Sequence, residues 1–104
     1  MTRKALTVAF TRRAAIQIQE ANTWWRSNRQ EASGAIAEEV ERAIGLLALQ
    51  PAAGAPARAV RLRGVRRILL SRVGYHLYYR VRPRLRRIEV LAFWHAKRGS
   101  LPLR

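Results

Sequence analysis

Residues 75–94 hold two alternating runs joined by a short turn, and they constrain the fold more than any other stretch. In the first run Tyr75, Leu77, Tyr79 and Val81 alternate with His76, Tyr78, Arg80 and Arg82. Pro83-Arg84-Leu85-Arg86 follows, and then Ile88, Val90, Ala92 and Trp94 alternate in the second run. A period of two marks a strand with one buried face, so strands over 75–82 and 87–94 are predicted to form a hairpin. Pairing Tyr75 with Trp94, Leu77 with Ala92, Tyr79 with Val90 and Val81 with Ile88 makes one face wholly apolar. The other face then sets His76 against Phe93, Tyr78 against Leu91 and Arg80 against Glu89. A slip of one residue would move every side chain to the opposite face and put Glu89 across from Tyr79 in the interior. The apolar register is therefore expected.

That register carries a chemical expectation. His95 falls just past the strand, opposite Gly74, on the same face as His76. The two would be diagonal neighbours about 7–8 Å apart at the backbone, and they are the only histidines in the chain. Arg80, Arg82, Lys97 and Arg98 surround them. Two imidazoles with an ordinary pKa of about 6.5 can serve as general base and general acid near neutrality. Clustered guanidiniums bind a phosphodiester and stabilise the charge that develops on it. Such a set would cleave RNA through its 2′-hydroxyl without a metal. The plainer alternative makes His76 a residue of an open strand face, His95 a tail-holding hydrogen-bonder, and the arginines a binding surface. Trp24 and Trp25 are expected in the helix–sheet core, with one of them near its rim.

The rest of the chain supplies the layers. Leu6, Val8 and Phe10 alternate in a short strand over 5–10. Thr11 is placed to cap a helix, and Ala14, Ile18, Ala21 and Trp25 then fall on one helical face, ending near Asn28. Ala32, Ile36, Val40, Ala43 and Leu47 form the stripe of a second helix, with Glu38, Glu39, Glu41 and Arg42 largely on its other side. The short link between the helices implies an antiparallel hairpin. Pro51 stops the second helix, and 50–57 is a turn-rich connector. Strands are expected at 59–62 and 66–71, punctuated by Gly64 and Gly74. The order is β-α-α-β-β-β in 104 residues, the size of one domain. The fold expected is α+β, a helical hairpin packed on one face of a twisted, mainly antiparallel sheet, with residues 1–104 as a single domain.

Charge narrows the partners. The chain carries 21 basic and 6 acidic residues, a net +15. Residues 1–51 hold 7 bases and 5 acids, whereas residues 52–104 hold 14 bases and 1 acid. A polyanion or an acidic protein is the expected partner of the second half; a membrane surface is a weaker candidate, and a general arginine bias is the bland one. All the acids are glutamates and there is no cysteine, so disulfides, thiolate zinc sites and cysteine nucleophiles are excluded and few metal ligands remain. No cofactor and no metal are expected. No apolar run approaches the roughly 18 residues of a membrane span, and the stretch after Met1 lacks a signal-peptide cleavage site. A cytoplasmic location is expected, with no membrane partner.

Several segments together resemble the RelE/ParE superfamily of toxins from type II toxin–antitoxin systems. They are Val8-Ala9-Phe10-Thr11 with Ala14 and Ile18; Ala43-Ile44-Gly45-Leu46-Leu47 followed by Gln50-Pro51 and Gly54; and Val65 to Leu70 followed by Gly74-Tyr75-His76-Leu77-Tyr78-Tyr79-Arg80-Val81. The strongest is Val90-Leu91-Ala92-Phe93-Trp94-His95-Ala96-Lys97-Arg98-Gly99. The resemblance spans essentially the whole chain and rests on the order and spacing of these pieces. It implies a small cognate antitoxin whose C-terminal segment wraps the toxin; the net charge of +15 favours an acidic segment, expected to cover the helical hairpin and part of the open sheet. Members similar to RelE cut mRNA in the ribosomal A site with arginines and lysines on the open sheet face and a tyrosine near the C-terminus. Here His76 stands where that pattern has an arginine, and the tail Gly-Ser-Leu-Pro-Leu-Arg has no tyrosine. Lys97 or Arg98 matches the C-terminal basic residue. Members similar to ParE inhibit DNA gyrase and need no hydrolytic residues, and the Trp-His-x-x-Arg ending looks more like that branch. The resemblance therefore implies a ParE-like gyrase poison. The alternative is a ribosome-associated mRNA endoribonuclease using His76, His95 and the basic residues. A third reading is a non-toxic basic nucleic-acid-binding module.

Overall fold

The structure, a computed structural model, describes residues 5–57 and 61–99. Its elements are β1 (Thr7–Phe10), α1 (Arg12–Asn28), α2 (Ala35–Leu49), β2 (Ala55–Pro56), β3 (Arg66–Leu70), β4 (Tyr75–Arg82) and β5 (Arg87–His95). Single 3₁₀ turns occupy Gln30–Ala32, Pro83–Leu85 and Ala96–Arg98. The strands form one mixed sheet in the order β1-β5-β4-β3-β2, with β1 parallel to β5 and every other pair antiparallel. The two helices cover one face, as the α+β expectation required.

Thr11 joins the layers. Its backbone N–H donates to the Val90 carbonyl at 3.0 Å, closing the β1–β5 ladder. Its hydroxyl oxygen accepts from the Ala14 N–H at 3.1 Å and so caps α1. The same hydroxyl donates to the Leu91 carbonyl at 3.2 Å. Alanines 14 and 21 are the buried residues of α1, and their small side chains let the helix lie close on the sheet. α2 buries Ile36, Val40, Ala43 and Leu47, the stripe read from the sequence. Ala32 belongs instead to the 3₁₀ turn before Gly34, yet it still packs against the core. Glu39 was expected to face outward and does not: it is only 8% exposed. Its position, three residues after Ile36 and four before Ala43, sets it at the edge of the stripe, where Arg42 and Arg72 each approach it at 3.4 Å.

Leu77, Tyr79, Ile88 and Val90 form the centre of the core with Phe93 and Leu47. Near the turn the hairpin has the expected register, Tyr79 with Val90, Arg80 with Glu89 and Val81 with Ile88. Beyond Tyr79 it does not. A bulge at Leu91 shifts the pairs to Tyr78 with Ala92, Leu77 with Phe93, His76 with Trp94 and Tyr75 with His95. The physical gain is clear. The regular register would have stranded Phe93 on the open face; the bulge turns it inward, where it stacks on Tyr75 at 4.6 Å with 3° between the ring planes. Leu91 and Ala92 are both apolar, and both are buried with Val65 and Tyr78 in a smaller cluster on the other face, flanked by Ala57, Leu62 and Trp94.

The outer edge also departs from expectation. Of the strand expected at 59–62, residues 59 and 60 lie outside the described residues, and Arg61 and Leu62 are not in a strand. The edge strand is Ala55–Pro56, paired with Arg67 and Arg66; a proline is tolerated there because an edge position needs no second ladder donor. The Tyr79 hydroxyl fixes this connector from beneath, donating to the Pro51 carbonyl at 2.7 Å and accepting from the Gly54 N–H at 2.8 Å. Arg66 donates to the Gly54 carbonyl at 2.7 Å. Only glycine fits at 54, since a Cβ would stand 2.7 Å from the Tyr79 oxygen and 2.8 Å from the Arg67 carbonyl oxygen.

Candidate functional site

The bulge decides where the histidines go. His95 is brought to the helix-covered face, edge-on to Tyr75 with ring centres 5.0 Å apart. Its Nδ1 accepts from the Lys97 N–H at 3.1 Å, starting the turn that carries Lys97 and Arg98. An accepting Nδ1 places the proton of the neutral ring on Nε2. His76 is on the opposite face, edge-on to Tyr78 at 6.0 Å. Burial pushes its pKa below the ordinary histidine range, and the nearby Arg67 lowers it further. The expected diagonal pair of His76 and His95 on one face is thus corrected: one extra residue between them in the ladder puts the two rings on opposite sides of the sheet.

Arg80 and Arg82 lie on the open face, as expected, and both turn to Glu89. Arg80 donates to it at 2.9 Å and Arg82 approaches at 3.6 Å. The hydrogen bond from Arg80 holds the Glu89 carboxyl below its usual range, against the opposing effect of burial. Lys97 and Arg98 are exposed on the turn after β5. The Arg98 guanidinium lies over the Trp94 ring, 4.0 Å from its centre, a geometry in which the ring quadrupole attracts the cation.

These residues border a feature that the strand reading did not anticipate. β1 ends at Phe10, so the outer edge of β5 beyond Val90 is left for α1, and Gln17 accepts from the Phe93 N–H at 2.8 Å. A two-lobed groove opens beside this contact. One lobe, of about 410 Å³, is lined by Gln17, Glu20, Phe93 and Trp94; the other, of about 300 Å³, by Trp25, Arg29, Val73 and His95. Trp24, Tyr75 and Arg98 line both. Trp24 is half exposed, whereas Trp25 packs against the core. Burial pushes the Tyr75 phenol up, while Arg98 draws it back. The indole N–H groups of Trp25 and Trp94 are buried, with no acceptor among the described residues. The helical signal for this groove was present: Gln17, Glu20, Ala21 and Trp24 follow the i, i+3, i+4, i+7 spacing of a single face. Among the described residues, no three histidine, aspartate or glutamate side chains gather as metal ligands would, and no helix is long and apolar enough to cross a membrane.

The architecture has solved counterparts. A chain of the chromosomal ParDE toxin–antitoxin system of P. aeruginosa matches with a TM-score of 0.72 at 20% identity, over 89% of this chain and 98% of that one. The intact E. coli RelBE toxin–antitoxin complex contributes a match with a TM-score of 0.61 at 20% identity, over 90% and 100% of the two chains. The isolated E. coli RelE toxin matches with a TM-score of 0.57 at 19% identity, over 92% and 89%. No curated protein matches the sequence. Two helices on a five-stranded mixed sheet of this topology are the fold of RelE/ParE toxins. Residues 8–99 match the family described as the ParE toxin of the type II toxin–antitoxin system parDE, and the chain belongs to that family.

Proposed function

We propose that this toxin acts by binding its target rather than by cutting RNA, and that the target is DNA gyrase. The observation that carries this reading is the separation of His76 and His95 by the sheet. A general acid and a general base must both reach the same phosphodiester, and rings on opposite faces cannot. His95 also uses its Nδ1 to hold the turn of Lys97 and Arg98, and the sequence has no tyrosine after Tyr79. Lys97 and Arg98 are the exposed cations of that turn and would meet the target, with Arg80 and Arg82 on the open face as secondary contacts. Membership of the ParE family favours gyrase over the ribosome. Action on gyrase places the protein in the cytoplasm.

The partner that restrains it is a small antitoxin with an acidic segment. The net charge of +15 favours such a segment, since opposite charge speeds and orients association. Exposed Ile16 on α1, Leu46 and Leu49 on α2 and Leu69 on β3 offer apolar surface to it.

Expression of variants in a bacterium tests the mode of action. His76→Ala and His95→Ala are expected to leave most of the toxicity, and charge reversal of Lys97 and Arg98 to abolish it, with a DNA damage response and intact transcripts in toxic cells. Rapid transcript cleavage that disappears in either histidine variant would overturn the binding reading in favour of the endoribonuclease, because loss of a true general acid or base costs about 10²–10⁴-fold in rate.

A further inference from the structure

The groove beside α1 has a distribution of charge from which the gyrase reading uses Arg98 alone. Glu20, an exposed carboxylate, lines the larger lobe, and Arg29 lines the smaller one. Trp24, Tyr75 and Arg98 are common to the two. Among the described residues neither Arg29 nor Arg98 is in an ion pair; each lies over an indole ring instead, Arg29 5.9 Å above Trp25 and Arg98 4.0 Å above Trp94. The larger lobe thus holds an acceptor, Glu20, and the smaller one a cation, Arg29, with Trp24, Tyr75 and the Arg98 guanidinium shared by both.

We propose that this groove binds a guanine nucleotide, with the base against Trp24 in the larger lobe and the phosphate between Arg98 and Arg29. A flat base stacks on an exposed indole whatever its identity. Guanine in addition presents a pair of adjacent N–H donors on its Watson–Crick edge, and Glu20 offers the two carboxylate oxygens that accept them. The phosphate then falls toward the smaller lobe, where guanidiniums without carboxylate partners recognise it. The acidic side chains of a peptide fit the cations, but they offer neither an N–H pair to Glu20 nor a ring to Trp24. The volumes suit one nucleotide, at the small end of the range for ligand sites. The ligand can be a free nucleotide or an unpaired guanosine of a strand, since both present the same base and phosphate.

The test is a titration of the full chain with guanosine 5′-monophosphate, followed by tryptophan fluorescence and by calorimetry. Cytidine 5′-monophosphate, guanosine, inorganic phosphate and a polyglutamate peptide are titrated in parallel. Saturable binding of guanosine monophosphate is expected, tighter than each of the others. Trp24→Ala is expected to weaken it about 10-fold, the scale of one lost stacking contact. Glu20→Gln is expected to reduce the preference over cytidine monophosphate by about 10-fold, the scale of a lost charged hydrogen bond. Both residues are exposed, and an unchanged far-ultraviolet circular dichroism spectrum confirms that the variants fold. A single-stranded oligonucleotide containing one guanosine, compared with the same strand lacking it, separates the two sources: tighter binding than the mononucleotide assigns the strand, weaker binding the free nucleotide. Absence of saturable binding, equal binding of inorganic phosphate, binding unaffected by Trp24→Ala, or polyglutamate binding that depends on Trp24 while the nucleotide does not bind would each overturn the proposal.

Discussion

Replacing Tyr79 by phenylalanine removes one oxygen atom from the centre of the molecule and leaves the ring in place. That oxygen donates to the Pro51 carbonyl at 2.7 Å and accepts from the Gly54 N–H at 2.8 Å, so it ties the connector between α2 and β3 to the middle of the sheet. Tyr79 is fully buried, and the ring it keeps leaves almost no cavity, so the cost comes from hydrogen bonding alone. An ordinary bond exchanged for water contributes about 1 kcal/mol, and a buried group left without a partner costs about 1–3 kcal/mol. The Gly54 N–H bond is buried and the Pro51 carbonyl bond only partly so; the first falls at the upper end of that range and the second is recovered by water. The expected loss is about 2–3 kcal/mol, which at roughly 4–8 °C per kcal/mol for a chain near this size lowers Tm by about 10–20 °C. Urea unfolding followed by circular dichroism measures it, with an unchanged denaturant slope showing that the unfolding reaction is the same. A loss below about 0.5 kcal/mol, the level of an ordinary surface substitution, would refute the reasoning, for it would mean that the connector rearranges freely and that the hydroxyl is not its anchor.

Three further outcomes follow from other contacts. Thr11→Ala removes the α1 cap and should cost about 1 kcal/mol, with Thr11→Ser retaining most of it, as thermal unfolding will report. The Glu89 carboxyl has its folded-state pKa depressed, so its stabilisation is present above the unfolded carboxyl pKa of about 4.3 and is lost as the pH falls through the lower folded value. Glu89→Gln should therefore flatten the stability profile in that acidic window and lower stability near neutrality by no more than about 1 kcal/mol; unfolding curves from pH 2 to 7 of both proteins decide it, and an unchanged slope would refute the coupling. His95→Phe keeps an aromatic edge toward Tyr75 but removes the acceptor for the Lys97 N–H, so amide exchange at Lys97 should quicken while exchange in β4 stays as slow as before.

The sequence revealed those parts of the molecule where pattern and packing agree. Alternation in 75–82 placed β4 without error, because its inward residues are all apolar and its outward ones largely polar. Thr11 announced both the end of β1 and the start of α1, and the stripe from Ile36 to Leu47 located α2. Pattern was silent where two choices were nearly equal in apolar content. Leu91, Ala92 and Phe93 are three apolar residues in a row, and alternation alone cannot say which two share a side; the preference of Phe93 for Tyr75 decides it, and that contact is visible only in three dimensions. Glu39 looked like a solvent-facing charge because its partner Arg72 is 33 residues away. The edge strand at Ala55–Pro56 was hidden by its length of two residues and by its proline. The groove beside α1 combined residues of a helix with residues of β4, β5 and the turn after β5, and no single segment carried its signature.

The single unpaired residue at 91 has a bearing on how relatives of this chain are to be compared. A strand with an extra residue is out of phase with itself across that point, so the stretch from Ala92 to His95 presents its side chains by a different parity from the stretch before it. A relative that lacks the extra residue can carry the same Trp-His pair and aim it the opposite way, histidine outward and tryptophan inward. Identity of letters in this tail is thus no guide to identity of role. Gain or loss of one residue at this position is a one-step change that exchanges the outward and inward sets at the business end of the sheet, while the pairs from Tyr79 to Arg82 remain as they are.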